Sequence, residues 1–242
     1  MRYGIIADVH ANLAAFEAVL ADMGEVDSLW CLGDLVGYGP DPNECIDLLQ
    51  RYNHRCVMGN HDLAAIGRLD TSDFNAAAAE AAEWTAHALN DRSIFYLSNL
   101  PERVVVEPFT LVHGSPRSPV WEYIFQEKLA AANFDHFGTL ACLVGHTHVP
   151  ALYLLDSTSK QVLASTPGAG DRVEVRQNRL IANPGGVGQP RDSDPRAAYG
   201  LYDSDTGILE WRRVEYPYQT TQQKMRDAGL PTRLIERLAY GW

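Results

Sequence analysis

Basic residues are the minority in this chain: 20 Lys and Arg stand against 31 Asp and Glu, a formal net charge of -11 over 242 residues. That balance argues against extended nucleic-acid binding and against an anionic membrane, both of which call for a cationic face. It leaves a phosphate substrate open, because cations held in a pocket make it locally positive whatever the distant surface carries. Cysteine is scarce as well. Cys31, Cys45, Cys56 and Cys142 include no C-x-x-C pair, and three of them lie in or beside apolar runs. They read as buried free thiols, which sets aside a disulfide framework or a zinc ribbon. No apolar run is long enough to cross a bilayer. No internal repeat is present, and the only biased tract is Ala-rich, over residues 76–82. The sequence opens Met1-Arg2-Tyr3 directly into an apolar run without the pattern of a secretory signal, so a cytoplasmic location is expected.

What the chain does have is five short apolar runs, residues 3–7, 29–32, 55–58, 110–112 and 140–144, each followed at once by metal-ligand chemistry. They lead into Asp8-x-His10, Gly33-Asp34, Gly59-Asn60-His61-Asp62, His113-Gly114 and Gly145-His146-x-His148. Any one of these alone would more often be turn chemistry. All five together, each just beyond a strand, occupy the place where open α/β sheets collect ligand-binding groups.

Between the runs, Leu13, Phe16, Leu20 and Met23 recur at helical spacing, and Gly24 stands where a left-handed cap would end the helix. Asp41-Pro42-Asn43-Glu44 has the form of a helix start, with Asp41 as N-cap, and Ile46, Leu49 and Tyr52 would then face the sheet. Residues 73–90 read as an Ala-rich helix carrying Phe74, Trp84 and Leu89, and a shorter helix follows through Phe95 and Leu97. Such an insertion could cover the site, but packing against the sheet edge is the expected role.

Beyond Pro150 three hairpins are expected: 151–155 with 161–165, 172–176 with 179–182, and 197–202 with 208–214, the last joined through Asp205-Thr206-Gly207. They predict a second, largely antiparallel sheet packed on the first, with helices near residues 220–228 and 232–240 closing the chain.

A two-metal hydrolytic centre needs a carboxylate bridging cations ~3.5 to 4 Å apart, so that one hydroxide can lie between them. Asp34 is the candidate bridge. Asp8, His10 and His148 would complete one metal, and Asn60, His113 and His146 the other. Residues i and i+2 of extended backbone point the same way, which would bring Asp8 with His10, and His146 with His148, into one site. Ligands without thiolate are compatible with Mn, Fe, Zn, Co or Ni, of which Mn or Fe are the favoured pair. His61, beside Asn60 yet not needed as a ligand, is the candidate general acid for the leaving alkoxide. Asp62 either orients a neighbour or caps the following helix. His54, His87 and His136 read as surface or partly packed residues. The loop Asn183-Pro184-Gly185-Gly186-Val187-Gly188-Gln189-Pro190-Arg191 is either a phosphate contact, through Arg191 or Arg196, or a turn-rich connection with Arg196 tied to Asp192 or Asp194.

With every ligand position filled, these motifs resemble the calcineurin-like metallophosphoesterase superfamily, and the Asn-Pro-Gly loop resembles its small prokaryotic phosphodiesterases. The resemblance implies an α/β (α+β) fold, a four-layer αββα sandwich of two mixed β-sheets flanked by helices. No second-domain break is visible along the chain, so it reads as one phosphoesterase domain over residues 1–216, with the helical insertion at about 73–98, and residues 217–242 as a C-terminal helical tail of the same domain. Phosphoprotein phosphatases of the superfamily carry an Asp and an Arg three and four residues after the bridging Asp, where this chain has Gly37 and Tyr38. Gly37-Tyr38-Gly39-Pro40 is instead similar to the small phosphodiesterases and to members that cleave dinucleoside polyphosphates, and Tyr38 joins Arg191 and Arg196 as a candidate substrate contact. The activity implied is two-metal hydrolysis of a phosphodiester or nucleotide phosphoanhydride, with a small phosphate-ester or nucleotide substrate as the partner. The alternatives are a phosphomonoesterase or protein Ser/Thr phosphatase, and, from another class, a catalytically silent metal-stabilised binding module.

Overall fold

The computed structural model describes residues 1–242. The first apolar run forms β1 (Arg2–Ile6), followed by α1 (Leu13–Met23), β2 (Ser28–Cys31), α2 (Pro42–Leu49) and β3 (His54–Cys56). Strands β1, β2 and β3 pair in parallel, with α1 and α2 as the crossovers that parallel neighbours need. Gly24 caps α1 at φ 68°, and Asn12 caps its start by accepting from the Ala15 N–H at 3.2 Å. Asp41 stands at the N-cap of α2 without capping it. Its carboxylate accepts from Lys224 Nζ at 2.7 Å, a tertiary contact that overrides the local one.

Next come α3 (Asn60–Ala65), α4 (Ala76–Ala88), α5 (Asp91–Ser98), β4 (Arg103–Val106), β5 (Phe109–Val112), α6 (Glu127–Asn133) and β6 (Ala141–Leu143). The remainder is β7 (Ala151–Leu155), β8 (Val162–Ser165), β9 (Arg172–Glu174), β10 (Arg179–Asn183), β11 (Ala197–Asp203), β12 (Ile208–Val214), α7 (Tyr218–Asp227) and α8 (Thr232–Glu236). One sheet runs β3-β2-β1-β11-β12-β9 and the other β4-β5-β6-β10-β7-β8, and both mix parallel and antiparallel pairs.

Two expectations are corrected here. β9 and β10 do not form a hairpin: β9 pairs with β12 in the first sheet, while β10 lies between β6 and β7 in the second. The turn between them carries the chain from sheet to sheet, which local turn chemistry cannot distinguish from a hairpin. The expected second sheet is also not built from the hairpins alone. The β11–β12 hairpin extends the first sheet, and β5 and β6, which precede the last two ligand loops, belong to the second.

Strand alternation sorts the apolar residues into three layers. Ile6, Leu29, Cys31, Tyr199 and Leu201 face α1 and α2 with Phe16, Val19, Ile46 and Leu49. Ile5, Trp30, Phe109, Leu111, Leu143, Leu180 and Tyr202 meet between the sheets. Val112, Cys142 and Ile181 pack against Ala130 of α6. Helix, sheet, sheet, helix is therefore the layer order. All four cysteines are buried and free, and no helix is long and apolar enough to cross a membrane.

The insertion divides: α5 meets the edge strand β3 as expected, with Tyr96 Oη 2.9 Å from His54 Nε2, whereas α4 lies elsewhere. α4 packs chiefly on α3 and α2, and its Ala78 and Ala81 share a core with Tyr38 and with Met225, Leu234 and Leu238 of the C-terminal segment. Phe74, just before α4, faces His61, with ring centroids 4.8 Å apart. The Ala face allows this close approach to α3, and the sequence pattern alone could not say which neighbour it would meet.

Candidate metal centre

The ligand-type residues gather where the two sheets present their loops side by side. Asp8 and His10 follow β1, Asp34 follows β2, Asn60 opens α3, His113 follows β5, and His146 and His148 follow β6. The backbone that aims them is not the extended one expected. Asp8, His10, Asp34, His146 and His148 all have positive φ, between 48° and 66°. Left-handed non-glycine residues are uncommon and cluster at functional sites, where the surrounding structure holds them. Close approach explains two glycines: a Cβ on Gly59 would lie 2.1 Å from Asp34 Oδ1, and one on Gly33 would lie 2.9 Å from His113 Nδ1.

Two groups of donor atoms result, Asp8 with His10 and His148, and Asp34 with His113 and His146, each converging within 4.8 Å. His148 Nε2 is 3.4 Å from Asp8 Oδ1 and 3.2 Å from His10 Nε2. His113 Nε2 is 3.0 Å from His146 Nδ1, 3.1 Å from Asn60 Oδ1 and 3.3 Å from Asp34 Oδ2. Asp34 Oδ2 also lies 3.7 Å from His10 Nε2, so this single oxygen faces both groups.

Tautomers follow from the second ring nitrogens. His10 Nδ1 donates to the Val36 carbonyl at 3.2 Å, His113 Nδ1 to Leu32 at 2.8 Å, His148 Nδ1 to Gln189 at 2.6 Å and His146 Nε2 to Trp121 at 3.2 Å. Each imidazole therefore turns an unprotonated nitrogen inward, as metal-binding histidines do. His10 and His148 face each other with two lone pairs and no hydrogen between them, and Asp34 Oδ2 is buried without a hydrogen-bond partner. Those atoms fit cations and little else, since ligand bonds of about 2.1 Å give ligand separations of about 3.0 to 3.4 Å.

The electrostatics agree. Burial holds His10 and His148 well below the usual histidine range and takes His146 down to about 2, which keeps them neutral. Burial also raises Asp8 to about 7. For His113 burial acts downward, but Asp34, Asp8 and the Leu32 carbonyl together outweigh it and lift the ring to about 9, so its place calls for positive charge, which a bound cation would supply in place of a proton. Three buried carboxylates, Asp8, Asp34 and Asp62, crowd one region and create a demand for cations.

The family model for the calcineurin-like phosphoesterase superfamily domain matches residues 1–207. The chain belongs to that superfamily. A crystal structure of a metallophosphoesterase from Sphaerobacter thermophilus is similar over 100% of this chain and 99% of that one, at 48% identity and TM-score 0.92. An uncharacterised protein of Methanocaldococcus jannaschii is 34% identical over 98% of this chain and 97% of its own length. A symmetrical bis(5'-nucleosyl)-tetraphosphatase of Pectobacterium carotovorum is 39% identical over only 24% of this chain and 23% of its own. This calcineurin-like phosphoesterase is thus a hydrolase of phosphoester bonds carrying two candidate metal-binding groups.

Around the phosphoesterase centre, Asp62 both caps and orients. Its Oδ2 accepts from the N–H groups of Gly59 (3.0 Å) and Asp34 (2.9 Å), and its Oδ1 from Val36 (3.1 Å). The Gly-x-x-Asp spacing at the head of α3 was the available sequence signal. Asn183 was missed as a clamp: its Nδ2 donates to the Gly145 carbonyl (2.7 Å) and to Thr147 Oγ1 (3.0 Å), holding the His146–His148 loop. His61 is buried, its Nδ1 has no partner, and its ring is wedged against Tyr38 (4.3 Å), Phe74 (4.8 Å) and His10 (5.0 Å). The Arg191 guanidinium lies 5.8 Å from the Tyr38 ring centre, with Nη2 donating to Gln189 Oε1 at 2.9 Å. Arg196 is not brought to the centre. It pairs with Asp194 at 2.7 Å on the surface, the structural alternative for that residue. His54 binds Tyr96 Oη at 2.9 Å and His87 its own helix at Glu83 O, and neither reaches the centre. His136 ends a short helical turn, its carbonyl accepting from Arg103.

Proposed function

We propose that this phosphoesterase hydrolyses a phosphodiester or a nucleotide phosphoanhydride at a two-metal centre. The observation that carries the metal reading is the pair of converging donor sets sharing Asp34 Oδ2, a buried oxygen with no hydrogen-bond donor. Asp8, His10 and His148 would hold one cation, Asn60, His113 and His146 the other, and Asp34 both. Bound there, Mn or Fe ions would supply an activated water at neutral pH and neutralise charge on the phosphoryl oxygens.

The protein's own groups do the rest. Arg191, with a buried Nε that has no partner, is disposed to donate to a phosphoryl oxygen beside Tyr38. His61 is the proton donor to the leaving oxygen. Burial lowers its pKa to about 4, with Asp34 opposing that shift and Arg191 reinforcing it.

A diester preference is supported by Gly37, whose Cα packs against His61 with no room for a carboxylate: a Cβ there would lie 2.9 Å from His61 Nδ1. Packing against Tyr38 and Phe74 holds the ring instead. The test is hydrolysis of bis-p-nitrophenyl phosphate against p-nitrophenyl phosphate by Mn²⁺-loaded protein, with a chelated control. A diester preference lost on chelation is expected, and a monoester preference would move the assignment to a phosphomonoesterase. Two bound metals with no turnover of any phosphoester would leave a binding module. The four buried free thiols suit a reducing, cytoplasmic setting.

A further inference from the structure

Beside the metal centre lies a groove of about 400 Å³ that none of the hydrolytic groups uses. Its near end is Tyr123, whose ring stacks on His146 at 3.7 Å and 16°, together with Thr147 between the two ligand-type histidines. Phe125, Glu127, Tyr153 of β7 and Ala164 of β8 also line it. Its volume falls in the range of about 300 to 1,000 Å³ found for small-molecule sites.

We propose that this groove binds the nucleoside portion of the substrate, with the base lying among Tyr123, Phe125 and Tyr153 while its phosphate reaches the centre past His146. This rests on the phosphohydrolase reading and adds a nucleotide substrate class to it. The groove adjoins the centre through Tyr123, stacked on His146, and Thr147, between His146 and His148, so a group esterified to a phosphoryl at the donor sets would have it alongside. Two of its polar groups are spent. Tyr153 Oη donates to the Ile124 carbonyl at 3.1 Å, and Thr147 Oγ1 bonds Val149 O and Asn183 Nδ2. Glu127 is an exposed carboxylate making no hydrogen bond or ion pair, and the hydroxyls of Tyr123, Ser165 and Thr166 make no hydrogen bond either. An anionic wall repels a second phosphate and accepts from the exocyclic amine of a base, and the aromatic walls suit a flat, neutral ring. Phe125 is 62% exposed, a solvent-facing aromatic for which the fold itself offers no cover.

The test compares two non-hydrolysable probes, methylphosphonate and adenosine 5'-methylenephosphonate, by calorimetry on Mn²⁺-loaded protein. The nucleoside probe should bind about tenfold tighter or better. Ala164→Trp, which fills the groove from an exposed edge strand, should bring it down to the affinity of methylphosphonate and leave methylphosphonate unchanged. Phe125→Ala, at an exposed position that folding does not depend on, should weaken only the nucleoside probe. Equal binding of the two probes by the wild type, or an Ala164→Trp affinity equal to wild type, would overturn the proposal. If neither probe binds better with metal than without, the phosphohydrolase reading fails. The groove is then still decided by whether Ala164→Trp weakens the nucleoside probe.

Discussion

Asp62 offers the sharpest test of how the centre is built, because one carboxylate satisfies three buried backbone N–H groups on two separate loops. Replacing it with Ala strands all three donors. An unsatisfied buried donor costs about 1 to 3 kcal/mol, so simple addition gives about 3 to 9 kcal/mol. Neighbouring losses are not additive and water enters part of the space, so about 3 to 5 kcal/mol is the expected loss. Asp62→Asn should cost less, about 1 to 3 kcal/mol, since an amide oxygen at the Oδ2 position keeps two of the bonds. The Val36 carbonyl that receives His10 Nδ1 moves with its own N–H, and Asp34 moves with its N–H, so metal affinity should fall with stability. Urea unfolding of the chelated protein reads the first effect, and metal titration of the folded variant reads the second. A chelated Asp62→Ala protein within 1 kcal/mol of wild type that also binds both metals normally would refute the reasoning.

Other consequences can be checked separately. Glu122, held by Arg117, Ser115 and Asn133, has its carboxyl lowered to about 2, chiefly by the Arg117 hydrogen bond. A depressed carboxyl stabilises above its unfolded pKa, so the advantage of wild type over Glu122→Gln should be full above about pH 4.5 and vanish as pH falls through about 2; pH-dependent unfolding of the pair measures it. His61→Ala should leave metal content intact and slow turnover by about 10²- to 10⁴-fold, most for poor leaving groups; equal loss across a leaving-group series would remove the acid role. Arg191→Ala should raise KM about tenfold or more, as loss of a charge-assisted contact does. Arg196→Ala, which breaks only a surface pair with Asp194, should leave kinetics within about twofold of wild type.

The sequence by itself determined the inventory of ligand-type residues, because each follows a strand-length apolar run and strands must end where loops begin. Strand alternation likewise determined the layers: Ile5 and Ile6, or Leu29 and Trp30, had to face opposite sides of one sheet. Tertiary structure alone decided which strands share a sheet. β9 and β10 read as a hairpin from local turn chemistry, yet pairing with β12 in one case and with β6 and β7 in the other separates them. It also decided the left-handed backbone at five of the ligand-type residues, since such φ values persist only where surrounding contacts hold them. Arg191 and Arg196 are alike in sequence, five residues apart in one loop region; Asp194 takes Arg196 away, and Gln189 keeps Arg191 over Tyr38. Phe74 and Tyr123 bear no motif at all. Their places against His61 and His146 come from the packing of a helical insertion and a loop, which are long-range contacts that no local pattern encodes.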